Sequence, residues 1–241
     1  MATFVLVHGS HDGGWIWQKL ARMLRAAGHD VYAPTLTGLS DRSHLLECGV
    51  NLTTHITDIV NLLFYEDVTE VTLVGNSYAG MVITGVAAKM PERLRQVVYL
   101  DAYLPDDGQC EADLWPDDMR AAIEADDMAT RGLRQAPPPA IFGVTDPELA
   151  AWLAARMTPQ PLATYTELVS TGDARSEALH QVYIYCTSAL ASASIFAPFA
   201  AKARARRWDV HELASGHVPM LTAPRELADL LLEIATQPRA T

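Results

Sequence analysis

Four short runs constrain this chain most: Phe4-Val5-Leu6-Val7, Val71-Thr72-Leu73-Val74, Val97-Val98-Tyr99-Leu100 and Val182-Tyr183-Ile184-Tyr185. Each is almost wholly apolar and rich in β-branched or aromatic residues, so each reads as a strand buried on both faces. A half-exposed strand would alternate with polar residues. Helical patterns lie between them. Trp17, Leu20, Ala21 and Leu24 share one face of a helix over residues 15–27 that stops at Gly28, and Ile56, Ile59, Val60, Leu63 and Phe64 share a face over 53–65. Strands covered on both faces need helices above and below, which predicts an α/β fold with a mostly parallel sheet. Further strands over 30–34 and 208–213, and helices over 77–90, 195–204 and 225–236, bring the sheet to about six strands.

The rhythm breaks after Asp101. Residues 105–178 hold eight of the 14 prolines, several short helical patches and no convincing strand. This stretch reads as a helical cap inserted over the sheet's carboxyl edge, with a core built from 1–104 and 179–241. At 241 residues and 49% hydrophobic content, a single domain with such an insertion is expected. The net charge of −11 argues against nucleic acid and anionic membrane surfaces, which need a basic footprint. Cys48, Cys110 and Cys186 are odd in number and lack metal-ligand spacing, so they read as free thiols in a reducing compartment. The N-terminal apolar run lacks a basic lead and is too short for a secretion signal, and no run approaches ~18 apolar residues. A cytoplasmic protein acting on a small molecule is the expectation, with a homodimer among the open oligomeric states. The basic stretch 202–207 reads as a solvated helix end.

In an open parallel sheet, function collects at the carboxyl ends of strands. Val74-Gly75-Asn76-Ser77-Tyr78-Ala79-Gly80 carries a strand into a tight small-residue turn and then a helix, the form of a nucleophile elbow holding Ser77. Asp101 ends the next strand, and Ser215-Gly216-His217 follows the last one. A serine hydroxyl needs a base to take its proton, and the base needs an acid to fix its tautomer, so Ser77, His217 and Asp101 form a candidate catalytic set. The alternative for Asp101 is a cap on the turn that follows; Asp106 and Asp107 lie further toward the insertion. His8 and His11 rival His217 by residue type, but His8 abuts the first strand and is better placed to shape the loop after it. His55 and His180 read as structural. The glycine-rich loop 9–14 puts the Ser10 backbone N–H, with that of Tyr78, where an oxyanion could be held. A phosphate loop is the competing reading, but the lysine and glycine spacing are missing.

These motifs resemble the α/β-hydrolase superfamily, and within it the branch of plant methylesterases, hydroxynitrile lyases and bacterial esterase-like hydrolases. The resemblance rests on Phe4–Ser10 with Gly13-Gly14-Trp15 and Trp17, on Leu73–Met81, and on Gly216-His217. It implies Ser77 as nucleophile, His217 as base, Ser10 and Tyr78 as oxyanion donors, and no cofactor. The branch's usual acid lies two residues beyond a Cys-Thr pair. Here Cys186-Thr187 is followed by Ser188-Ala189, and Asp209 belongs to a strand rather than a loop, which leaves Asp101 as the acid. The lyases carry a lysine after the histidine and a threonine at position 9; Val218 and Gly9 stand there, which favours hydrolysis of an ester or ester-like bond. The missing acid keeps a non-turnover ligand-binding protein as the rival reading. Trp15, Tyr78, Tyr103 and Trp115, with Val218 beside the base, suggest an apolar, aromatic-lined substrate pocket.

Overall fold

In the computed structural model, the described residues are 1–46, 49–117, 119–121, 132–188 and 191–237, with backbone alone described for 191–194. Six strands form one sheet: β1 (Thr3–Val7), β2 (Asp30–Tyr32), β3 (Val71–Ser77), β4 (Leu94–Ala102), β7 (His180–Cys186) and β8 (Asp209–Leu213). Their order is β2-β1-β3-β4-β7-β8, and every pairing is parallel. The central strands are buried on both faces, which explains their lack of alternation.

Successive side chains still divide between two cores, as the two-residue period of a strand requires. Val5, Val7, Leu73, Val97 and Tyr99 pack on the face covered by α2 (Leu52–Tyr65), α3 (Ala79–Lys89) and α5 (Ala191–Ala205). Phe4, Leu6, Val74, Val98 and Leu100 pack on the opposite face with α1 (Gln18–Ala26) and α6 (Pro224–Thr236). The first helical pattern is split, because Gly14–Trp17 forms a 3-10 turn before α1 begins. The α2 start is fixed by a capping box, Asn51 accepting from Thr54 N and Thr54 Oγ1 from Asn51 N.

The described residues of the inserted stretch hold several short helical pieces: 3-10 turns at Glu111–Leu114 and Pro139–Phe142, one eight-residue helix, α4 (Pro147–Ala154), and single helical turns at Ala163–Thr166 and Ala174–Glu177. The departure from the sequence reading is an antiparallel ladder of β5 (Leu133–Arg134) with β6 (Gln160–Pro161). Two-residue strands beside Gly132 and Pro161 are too short to leave a periodicity in the sequence. Lys202 and Arg206 are not merely a solvated helix end either. Both pair with Asp106, and Lys202 Nζ donates to Leu104 O at 2.9 Å, so α5 grips the start of the insertion. Among the described residues, no helix is long and apolar enough to cross a membrane. Cys110 and Cys186 are free and buried, while Cys48 lies outside the described residues.

The insertion is tied to the loop after β1 through buried polar contacts. His11 N donates to Gln160 Oε1 at 2.9 Å, Thr158 N donates to His11 O at 2.9 Å, and the His11 Nδ1–H donates to Thr158 O at 3.0 Å. Gln160 is fully buried and also donates to Thr164 Oγ1. Gln160→Leu keeps the side-chain volume but strands the His11 N–H, so the unfolding free energy measured in urea should fall by about 1–3 kcal/mol.

Candidate active site

Three strand ends bring the expected chemistry to one edge of the sheet. β3 ends at Ser77 with φ +58°, a left-handed conformation that costs a non-glycine residue ~1–2 kcal/mol and lifts its side chain out of the strand. Small neighbours make the turn possible: a Cβ on Gly80 would run into Tyr103 O. Asp101, at the end of β4, is left-handed too, with φ +44°.

His217 lies in the loop after β8 and is buried, as is Asp101. Asp101 Oδ2 is 2.7 Å from His217 Nδ1, and Oδ1 accepts from Cys186 N at 3.2 Å. Nδ1–H donates to the carboxylate, which leaves Nε2 as the acceptor of the ring. The imidazole is stacked against Phe196 at 4.6 Å and 12°, and against Phe142 at 5.8 Å and 23°. Ala189, at the branch's usual acid position, lies outside the described residues. His217 nonetheless has a carboxylate, supplied by β4.

Asn76 fastens this arrangement. Its Nδ2 donates to Leu100 O at 2.9 Å and to His217 O at 3.1 Å, linking the elbow to both the β4 end and the histidine loop.

Ser77 and His217 line a cavity of about 240 Å³ together with Ser10, Tyr103, Trp115 and Phe196. Three expected pocket residues are elsewhere. Trp15 donates its indole N–H to Ser40 Oγ, meets Trp152 edge-on at 5.1 Å, and lines a separate surface groove of about 460 Å³. Val218 is buried in the α1/α6 core beside Met220 and Leu221, because its side chain turns away from the edge that His217 faces. Tyr78 also points away: its OH donates to His55 Nδ1 at 2.8 Å, while His55 Nε2–H donates to Thr37 O. Only its backbone follows Ser77 into the start of α3.

Three of the other histidines are held neutral. Burial pulls His8, His11 and His55 down to about 4. His8 accepts from Leu36 N through Nε2 and donates to Gly9 O through Nδ1, so it shapes the glycine loop. His180 begins β7 and contacts Asp209 at the far, amino edge of the sheet. Among the described residues, no three His, Cys, Asp or Glu side chains converge as metal ligands would.

Sequence reasoning missed Phe142, Phe196, Glu111 and Arg134, all of which line the cavity. Glu111 is 2% exposed, and burial raises its carboxyl to about 8 against the smaller opposing effects of Arg134 and Trp115. Because the folded value lies above the unfolded one, stability is lost as pH rises between the two. The stability gain of Glu111→Gln over wild type should therefore grow by a few kcal/mol from pH ~5 to ~8. Chemical unfolding at both pH values checks this; a constant difference contradicts it.

Comparison with known proteins follows the same outline. The model of the alpha/beta hydrolase family matches residues 4–230. A carbendazim hydrolyzing esterase from Nocardioides sp. (strain SG-4G) is 37% identical over 96% of this chain and 98% of its own length. Salicylic acid-binding protein 2 from Nicotiana tabacum is 26% identical over 96% of each chain. An extracellular alpha/beta-hydrolase from a Paenibacillus species superposes with a TM-score of 0.85 at 24% identity, covering 98% of this chain and all of the other, which speaks to the fold alone. A match of this extent in sequence, joined to the parallel sheet and the strand-end residues, makes the chain a member of the alpha/beta hydrolase family.

Proposed function

We propose that the protein is a cofactor-free serine hydrolase that cleaves a carboxylic ester, or an ester-like carbamate or activated amide, of a small hydrophobic or aromatic compound. The observation that carries this reading is the buried 2.7 Å contact between Asp101 and His217 on a cavity that Ser77 also lines. Family membership and the 37% identity to an esterase support hydrolysis as the reaction class.

His217 Nε2 takes the Ser77 hydroxyl proton as Oγ attacks the carbonyl carbon. Negative charge moves to the carbonyl oxygen, where the backbone N–H groups of Ser10 and Tyr78 hold it. Asp101 keeps Nδ1 protonated and stabilises the imidazolium that forms. His217 then passes its proton to the leaving alkoxide, and an acyl-Ser77 remains. Water attacks the acyl carbon with His217 again taking the proton, and the acid departs as Ser77 is restored. Phe142 and Phe196 clamp the ring in plane, so little reorganisation is needed between the steps.

Hydrolysis of chromogenic short-chain esters, aryl methyl esters and carbendazim tests the reading. Ser77→Ala should lose ester turnover, and Asp101→Asn should lower kcat by about 10⁴-fold with the fold intact. Wild-type turnover no faster than that of Ser77→Ala would overturn the hydrolase, and full activity in Asp101→Asn would overturn the acid alone.

A further inference from the structure

The cavity has a wall that the hydrolytic machinery does not use. Trp115, Arg134 and Tyr165 come from the insertion and line the same space as Ser77. Arg134 lays its guanidinium over the Trp115 ring at 4.5 Å and over Tyr165 at 5.6 Å. Among them sits Glu111, in the 3-10 turn Glu111–Leu114 and almost fully buried. Its Oε1 accepts from Trp115 Nε1 at 3.1 Å, whereas Oε2 has no hydrogen-bond partner among the described residues.

An orphan oxygen on a buried carboxyl forfeits about 1–3 kcal/mol or more, and native proteins rarely leave one unmatched without a use for it. Arg134 is no answer within the protein, since it stacks on the rings and forms no ion pair with Glu111. The rest of this wall is aromatic, so a flat ring fits against it. A site built to bond one polar group of a ligand rejects the analogue lacking it far more strongly than an apolar pocket could.

We propose that Glu111 is a specificity-determining residue whose free oxygen, on the ionised carboxylate, accepts a hydrogen bond from an N–H or O–H donor on the aromatic part of the substrate. The inference rests on the cavity being the substrate site of the proposed hydrolase. Trp115 fixes the carboxyl through Oε1, so the donor must approach Oε2 in the plane of that group. Substrates whose donor is capped by a methyl group leave Oε2 stranded and bind more weakly.

Binding, measured by calorimetry in Ser77→Ala protein at pH ~8.5, where the Glu111 carboxylate is the main form, tests this without depending on turnover. Two matched pairs serve as probes: methyl indole-5-carboxylate with its N-methyl analogue, and methyl 3-hydroxybenzoate with methyl 3-methoxybenzoate. At least one donor-bearing ester should bind roughly tenfold tighter than its capped partner. Adding Glu111→Gln keeps the size of the side chain and an acceptor for Trp115, but presents an amide N–H₂ in place of Oε2. In that double variant the two members of the pair should bind alike. The indole pair and the phenol pair separate N–H from O–H recognition. No preference in either pair, or a preference that persists in the double variant, overturns the role of Glu111. Ester hydrolysis by the parent protein reports separately on the hydrolase reading.

Discussion

The hydrogen bond between Asp101 and His217 is the contact around which this edge of the molecule is organised. It joins residues 116 positions apart, both buried, and depends on β4 and β8 ending at matching heights on either side of β7. A carboxylate so far removed from water needs hydrogen bonds on both oxygens, and it has them, one from the histidine and one from Cys186 N. Asn76 then ties the backbone carbonyls of β4 and of the histidine loop to the elbow. Removing any one of these leaves buried polar groups without partners, so the geometry of the edge is held as a unit.

The insertion completes what the sheet begins. The sheet edge supplies Ser10, Ser77 and His217, while the inserted stretch supplies the aromatic wall and the ring of Phe142 against His217. Its attachment is polar and buried, through Thr158 and Gln160 to His11. The loop thought to hold the oxyanion is therefore braced from two sides, by His8 from below and by Gln160 from the insertion.

The sheet was legible in the sequence because its central strands are buried on both faces and so carry continuous apolar runs. Ser77, Asp101 and His217 were legible because each stands at a strand end, where topology alone brings distant residues together. What escaped was decided by packing. Glu111 lies in the proline-rich insertion, where no motif or periodicity marks it, and the rings of Trp115 and Tyr165 line the same cavity around this buried carboxyl. Phe142 and Phe196 carry no motif. Trp15 and Val218 neighbour the right loops in sequence, but Ser40 captures the Trp15 indole and the α1/α6 core takes Val218. Chain proximity does not fix side-chain direction.

The central claim is that Asp101 and His217 together activate Ser77. Peptide mass spectrometry after exposure to an aryl fluorophosphonate tests it most directly, with adduct formation followed over time in wild type and in folded Asp101→Asn. The account predicts a single adduct on the peptide containing Ser77, forming at least a hundredfold more slowly, by rough analogy with the loss expected for such an acid, in Asp101→Asn. An adduct on another residue, no adduct, or equal rates in the two proteins would contradict it.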